Sequence, residues 1–233
     1  MVSAIWFGLA SQPAEAQGRF QDLQLGLHAA ELPTEGFFAF ACGSNGGTPL
    51  RPLETWSDYG ICIPDEMGLY EVYVELDDEL QILSRLFQER FDETFPFQQF
   101  AGTRIAGYPV VISLLFDAEG VVQGTRVVTD SRAETDERRA AYMFGNRIVG
   151  QFDPNNWDCE DLPLTGGQQP VGETRFIKRR CETVYRDESR MTVYYHFLRK
   201  PGQRAIDARG DYVDGQWDSV ARWEVFSLAV VAN

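Results

Sequence analysis

The chain has 233 residues, a formal net charge of −14 at pH 7 and 44% hydrophobic residues. The hydrophobic share is large enough for a packed core and excludes an intrinsically disordered chain. The strong negative charge excludes a nucleic-acid-binding protein, because phosphate recognition needs clustered Lys and Arg. It also argues against binding to an anionic membrane surface.

The N-terminal segment resembles a secretory signal. An apolar stretch over residues 2–10 precedes Ala14-Glu15-Ala16, and this order is typical of a signal-peptidase site. It predicts a truncated signal peptide over residues 1–16, a mature chain that begins at Gln17, and a periplasmic or extracellular location. The first basic residue is Arg19, so the usual positive n-region is missing and an apolar N-terminal arm is the alternative. The stretch is shorter than the roughly 20 residues of a membrane-spanning helix, so we expect no membrane span.

In the first half of the chain, two strands and one helix are expected. Residues 37–41 predict a short buried strand, and residues 42–64 are irregular because Gly and Pro punctuate them. Residues 69–76 alternate between apolar and acidic side chains, which predicts a strand with one buried face. Leu80, Leu83, Phe87 and Phe91 share one side of a helix that ends before Pro96, so a helix of about four turns is expected.

The second half begins with a hairpin and a second helix. Residues 109–116 and 121–128 flank a four-residue turn that ends in Gly120, which is typical of a β-hairpin. Ser131 and Glu134 have the spacing of a capping box. The helix that they start is expected to reach Val149 and to bury three apolar side chains, those of Ala141, Phe144 and Ile148.

The rest of the chain predicts a loop over residues 150–173, followed by β-like runs at 174–185, 191–199 and 220–230. The expected fold class is therefore α+β, an antiparallel β meander that two helices cover on one face, with two disulfide-stapled loops. Residues 17–233 are expected to form a single domain, with a possible division into two lobes near residues 96–104.

The four cysteines are expected to form disulfides between neighbours in the chain. Cys42 and Cys62 bracket the first long loop, and Cys159 and Cys181 nearly bracket the second. Four cysteines allow three connectivities, and the local pairing is favoured because it staples the two segments that lack regular structure. The chain has no Cys-x-x-Cys pair, so it has no local signature of a zinc site or a redox dithiol. The less favoured alternative is a reactive Cys181 thiolate beside Lys178-Arg179-Arg180.

Other candidate sites are sparse. The chain has two histidines, His28 and His196. No Ser or Cys lies in a pattern that indicates a nucleophile partner for either, so no catalytic residue is predicted. Oxygen ligands concentrate after residue 152, where the EF-hand spacing fails but a loop Ca²⁺ site is conceivable. Its candidate ligands are Asp153, Asn155, Asp158, Glu160 and Asp161. Asp207, Asp211 and Asp214 form a weaker second group.

The function expected from these features is that of an exported, non-catalytic protein that binds another protein or acts as an accessory subunit of an envelope complex. Stapled loops on a rigid sheet are a common way to build a recognition surface. A small-ligand or Ca²⁺-binding module that uses an aromatic surface around Tyr194, Tyr195 and Phe197 is the alternative, and an uncharacterised enzyme comes third. No cofactor is predicted apart from a possible Ca²⁺. The layout resembles that of exported bacterial proteins in general terms and implies no activity.

Overall fold

The computed structural model describes residues 23–76, 103–152, 156–171, 176–185, 189–200, 209 and 217–231. The predicted signal peptide, the helix predicted from Leu80 to Phe91 and most of the predicted lobe boundary lie outside the described residues. No helix among the described residues is long and apolar enough to cross a membrane.

Nine strands and three α-helices make up the regular structure of the described residues. The strands are β1 (Phe37–Cys42), β2 (Tyr70–Leu76), β3 (Arg104–Ile105), β4 (Tyr108–Phe116), β5 (Val122–Thr129), β6 (Asp158–Asp161), β7 (Ile177–Tyr185), β8 (Ser189–Arg199) and β9 (Trp217–Ser227). The α-helices are α1 (Thr135–Ala140), α2 (Tyr142–Gln151) and α3 (Leu228–Val231). Two short 3-10 helices span Ala29–Glu31 and Trp56–Ile61.

The strands form one antiparallel sheet in the order β1-β2-β4-β5-β9-β8-β7-β6, and β3 pairs with the start of β4. The predicted strand direction is confirmed, but the sheet is not one meander in chain order. It consists of two meanders, β1 to β5 and β6 to β9, that join where β9 pairs with β5. A meander in chain order would have put β6 beside β5. Strand β9 takes that place, and β8, β7 and β6 follow it outward to the other edge of the sheet.

One face of the sheet carries the apolar core, as the two-residue period of a strand requires. Directly opposed partners form a buried row across six strands. The row consists of Val74, Ile112, Val127, Trp223, Val193 and Cys181. Cys181 is paired with Cys159 on β6, so the row ends in a disulfide.

The core face is covered by different segments over the two meanders. Trp56 is fully buried over the first meander, with its ring edge-on to Phe40 at 4.8 Å between ring centroids. Helix α2 packs against β8 and β9 of the second meander. It buries Phe144 and Ile148, and Ala141 just before it is also buried, as predicted. Cover of one face by two helices stays a prediction, because the other helix falls on residues outside the description.

The predicted capping box is wrong. Helix α1 begins at Thr135 after the N-cap Glu134, which makes no side-chain capping hydrogen bond. Ser131 lies earlier, in a turn that Asp130 organises by accepting the Arg132 backbone N–H at 2.7 Å. The predicted single helix is also two helices, α1 and α2, which meet at Ala141.

Two further expectations are corrected. The loop predicted over residues 150–173 contains the edge strand β6, whose four residues are all exposed. Three of those four are acidic, so no apolar alternation marked it as a strand, and charge on an edge discourages pairing with other chains. The acidic face of β2 was expected in solvent, yet Glu71 is buried because it pairs with Arg126.

Candidate functional site

A group of exposed aliphatic side chains lies on the segment from residue 50 to residue 67. Leu50, Ile61, Ile63 and Met67 are four of the eight large hydrophobic side chains that are exposed in the described residues. Ile63 is the most exposed of all, at 90%, and Leu50 follows at 68%. We call these four residues the recognition surface. Scattered apolar residues on a surface are ordinary, but several within one short segment suggest a contact site.

The Cys42–Cys62 disulfide lies beside most of the recognition surface. The two cysteines are bonded as predicted, with their Cα atoms 5.4 Å apart. Ile61 and Ile63 flank Cys62 in the chain, and the Leu50 backbone N–H donates to the Cys42 carbonyl at 2.9 Å. Three of the four surface residues therefore lie next to a single covalent link between the ends of the loop.

The stapled loop also closes the outer edge of the sheet. The Cys42 N–H donates to the Arg51 carbonyl at 2.7 Å, and the Leu53 N–H donates to the Phe40 carbonyl at 2.8 Å. These bonds occupy backbone groups of β1 that would otherwise be unpaired, so the loop is fixed to the sheet and the edge is protected. Its backbone is tied down although its sequence, rich in Gly and Pro, predicts no regular structure.

Aromatic residues fix the loop from inside. Trp56 donates its Nε1–H to the Pro33 carbonyl at 2.9 Å, which satisfies the polar atom of a fully buried ring. Tyr59 stacks on Phe116 with ring centroids 5.4 Å apart and lies against Gly120 in the β4–β5 turn. Because Trp56 and Tyr59 are both in the 3-10 helix that leads to Ile61, they set the position of the recognition surface.

A charge cluster with a buried ion pair at its centre anchors the beginning of the loop. We use the name charge cluster for Glu71, Arg126, Arg222 and Glu224, which lie on the sheet face opposite the core. Glu71 Oε2 accepts from the Asn45 backbone N–H at 2.8 Å and from Arg126 Nη1 at 2.7 Å. The Glu71 and Arg126 side chains are only 8% and 5% exposed, so their charges compensate each other in a poorly solvated setting.

The cluster continues into the second meander. Arg126 Nε and Arg222 Nη2 both donate to Glu224 Oε1, at 2.7 Å and 2.8 Å. Arg222 also donates to the Asn45 carbonyl at 3.2 Å and to its side-chain oxygen. Burial raises the pKa of Glu224, but Arg222 and Arg126 together outweigh it and hold that pKa below its usual range. Strand β9 is thus hydrogen-bonded to a loop that belongs to the first meander.

Two glycines allow this close approach. A Cβ at Gly43 would overlap the Glu71 side chain, and a Cβ at Gly46 would overlap Val128. Gly46 also has a φ of +83°, which other residues rarely adopt. The Gly-rich run after Cys42 therefore has a packing role, because it lets the backbone lie directly on the sheet.

The residues around the recognition surface are acidic. Residues 50–67 contain four carboxylates and one arginine, Arg51, which gives a net charge of −3. Glu54 and Glu66 are exposed, whereas Asp65 is half-buried and uses its side chain to accept the backbone N–H groups of Met67 and Leu69. The segment that carries the surface therefore combines exposed apolar side chains with an excess of negative charge.

The predicted Ca²⁺ ligands do not converge where they are described. Asp158, Glu160 and Asp161 are exposed along β6, and alternation puts Asp161 on the face opposite the other two. The hydrogen bond from Arg179, 2.7 Å from Asp161, lowers the pKa of that carboxyl. Asp153 and Asn155 lie outside the described residues, as do Asp207, Asp211 and Asp214. No group of three metal-ligating side chains occurs in the part of the chain that the structure describes.

The two histidines occupy ordinary structural positions. His28 caps the first 3-10 helix, where its Nδ1 accepts the Ala30 N–H at 3.1 Å. His196 is a buried sheet residue with Nδ1 3.0 Å from the Tyr194 hydroxyl and Nε2 3.2 Å from Asp218. Burial and the Asp218 charge raise the pKa of Tyr194, so the phenol keeps its proton and is not an activated nucleophile.

The expectation of one aromatic surface around Tyr194, Tyr195 and Phe197 is wrong, because successive residues of β8 point to opposite faces. Tyr195 is buried beneath Gly145 of α2, and Phe197 stacks on Tyr142 with ring centroids 5.0 Å apart. Tyr194 lies on the other face beside His196. The three rings cannot contact one ligand together.

No protein-family model, no curated protein and no solved structure matches this chain. Sequence reasoning did not single out the recognition surface. The available signal was the pair of isoleucines on either side of Cys62. A disulfide directs Cys62 inward, and the neighbours of a residue in extended backbone point away from it.

Proposed function

We propose that this protein is an exported, non-catalytic binding protein that docks another protein, or a subunit of an envelope complex, on the recognition surface. The observation that carries the proposal is the 90% exposure of Ile63 on a loop that a disulfide, sheet pairing and a buried tryptophan hold in place. An exposed isoleucine on a rigid loop loses little conformational freedom when a partner covers it, so its burial contributes to affinity.

The chemistry of the surface defines the partner. An apolar centre is matched by an apolar pocket, and the net charge of −3 over residues 50–67 favours basic residues around that pocket. The overall charge of −14 extends the same attraction over a longer range and would speed association at low salt. The expected partner is therefore a protein with an apolar, basic-rimmed groove.

The two disulfides support the exported location. Both pairs are formed, and no free cysteine is left. Disulfides of this kind persist mainly in oxidising compartments such as the periplasm or the extracellular space. Intact-mass analysis of exported protein should give a chain that begins at Gln17. Recovery of unprocessed chain in the cytosol alone would contradict export.

The binding proposal is tested with a photo-crosslinking amino acid at position 63, and with the same residue at position 184 as a matched control. Val184 on β7 is 51% exposed, the same fraction as Met67 of the recognition surface, but it lies outside that surface. Illumination of native envelopes should give one discrete adduct from position 63 and none from position 184. With the captured partner purified, Ile63→Asp should weaken binding about 30-fold, as loss of a central apolar contact does.

Three results would count against the proposal. Equal labelling from both positions would show that Ile63 is merely exposed, and unchanged affinity of Ile63→Asp would remove the surface from the interface. An adduct of twice the chain's own mass would assign the surface to self-association and not to a different protein.

A further inference from the structure

A second feature is a small cleft at the Thr129 end of β5, between α1 and the beginning of β9. Its volume is about 170 Å³, and Trp217, Ala141 and Val220 form its apolar wall. Tyr59 of the stapled loop lies at the other end of β5, near Gly120. The eight residues of β5 span roughly 25 Å, so the cleft is remote from the exposed isoleucines that follow Tyr59.

Positive charge converges on this cleft from two directions. Arg138 and Arg139 come from the last turn of α1, and Lys200 comes from the end of β8. Arg138 Nη2 donates to Thr135 Oγ1 at 3.2 Å, but its buried Nε has no acceptor among the described residues. Neither Arg138 nor Lys200 has a carboxylate within ion-pair distance in the described part of the chain.

The two acidic residues of the cleft each have a neighbouring side chain as partner. Asp130 is almost completely buried and binds Arg132, with a shortest distance of 2.6 Å. Asp218 Oδ2 lies 3.2 Å from His196 Nε2. Arg132 pairs with Asp130, Asp218 is directed to His196, and Arg139 Nη2 lies 3.7 Å from Asp136 Oδ1. Arg138 and Lys200 are therefore the two cleft cations that have no ion pair in the described part of the chain.

Hydroxyl groups add neutral donors to the same cleft. Ser219 Oγ accepts the Tyr142 N–H at 3.1 Å, so its own proton can be donated to a ligand. Ser131 and Thr135 also line the cleft, and Ser131 is exposed. Cations and hydroxyls that approach from several directions suit a tetrahedral oxyanion, which has acceptors on every side.

We propose that this cleft binds a small tetrahedral oxyanion, either inorganic phosphate or sulfate or the phosphate group of a small ester, with Arg138 and Lys200 as its charged ligands. The site is independent of the recognition surface and of any partner bound there. A volume of about 170 Å³ accepts such an ion with little else, and the indole of Trp217 gives an ester a flat apolar wall.

The test is calorimetric titration of the full oxidised chain with inorganic phosphate, sulfate and glycerol 3-phosphate, each at constant ionic strength against chloride. Phosphate or sulfate should bind saturably at one site. Arg138→Gln and Lys200→Gln should each weaken that binding about tenfold, because each removes a charge-assisted hydrogen bond. Arg180→Gln is the control, since Arg180 is an exposed arginine outside the cleft that pairs with Glu182 on β7.

The source of the anion follows from the same titrations. Tighter binding of glycerol 3-phosphate than of phosphate would identify an ester head group, and the reverse would identify the free ion. The proposal is overturned if no anion binds more tightly than chloride, or if Arg180→Gln weakens binding as much as the two cleft variants. Lys200 is at a strand end and Arg138 on a helix, so loss of folding in one variant leaves the other to decide.

Discussion

Arg126 on β5 forms an ion pair with Glu71 on β2, at 2.7 Å and across the intervening strand β4. The pair also receives the Asn45 backbone N–H, so it joins the sheet to the start of the stapled loop. Through Glu224 and Arg222 the same cluster reaches β9. One charge cluster therefore ties together the two meanders and the segment that carries the recognition surface.

Removal of one partner of this pair should be costly. Glu71→Gln keeps the shape of the side chain but leaves Arg126 with only one carboxylate in a buried position. We expect the free energy of unfolding to fall by about 3 kcal/mol, since an uncompensated buried charge is strongly destabilising. Urea unfolding of the oxidised protein measures the change. Asp161→Asn, which breaks the exposed pair with Arg179, is the control and should leave the unfolding midpoint where it is.

The charge cluster also predicts how stability depends on pH. Arg222 and Arg126 hold the pKa of Glu224 below its ordinary value of 4.5, despite the opposing effect of burial. The unfolded chain therefore binds the proton at a higher pH than the folded protein, and the contribution of Glu224 is full above pH 4.5 and is lost as the pH falls through the lower, folded-state value.

Glu224→Gln removes this titration. The stability difference between wild type and Glu224→Gln should be constant above pH 4.5 and should shrink as the solution is acidified. Urea unfolding at a series of pH values measures it. A difference that grows on acidification would mean that the glutamate pKa is raised in the folded protein.

The charge cluster shows where sequence reasoning stops. The alternation in β2 correctly predicts a strand, and it places Glu71 on the face opposite Val72 and Val74. It cannot show that this second face is covered, because the partner, Arg126, is 55 residues away and lies two strands over. Period-two patterns report the local backbone, whereas burial of a charge depends on which strands the topology brings together.

Local signals predicted local structure well. The β4–β5 hairpin forms around Gly120, and both disulfides join the cysteines that bracket each loop. The order of the sheet was not predictable in the same way, since any of several β-like runs could pair with the free side of β5. The exposure of the isoleucines beside Cys62 could not be predicted from composition, because it depends on how the irregular loop folds onto the edge of the sheet.

Helix α2 offers a sharp test of packing. A Cβ at Gly145 would overlap the ring of Tyr195, whereas a Cβ at Gly150 of the same helix meets nothing within 4 Å. Gly145→Ala should therefore destabilise the protein by about 1–3 kcal/mol through overpacking. Gly150→Ala should be neutral or stabilise it by up to about 1 kcal/mol, because alanine is the better helix former. Thermal and urea unfolding compare the two variants, and equal effects would contradict the packing of α2 on β8.

The two disulfides should contribute similarly to stability but differently to binding. Cys42–Cys62 and Cys159–Cys181 close loops with sequence separations of 20 and 22 residues. On the chain-entropy account each therefore stabilises the fold by about 3 kcal/mol. Replacing either pair with serines should lower the free energy of unfolding by a comparable amount, which urea unfolding measures.

Partner binding should separate them. Leu50, Ile61 and Ile63 lie beside Cys42–Cys62, whereas Cys159–Cys181 joins β6 to β7 at the far edge of the sheet. At a temperature where the variant is still folded, Cys42→Ser/Cys62→Ser should weaken partner binding, because the loop loses conformational freedom when the partner binds. Cys159→Ser/Cys181→Ser should bind as wild type does. If the second double variant loses binding and the first keeps it, the partner contacts the opposite edge of the sheet and the isoleucines are not its docking site.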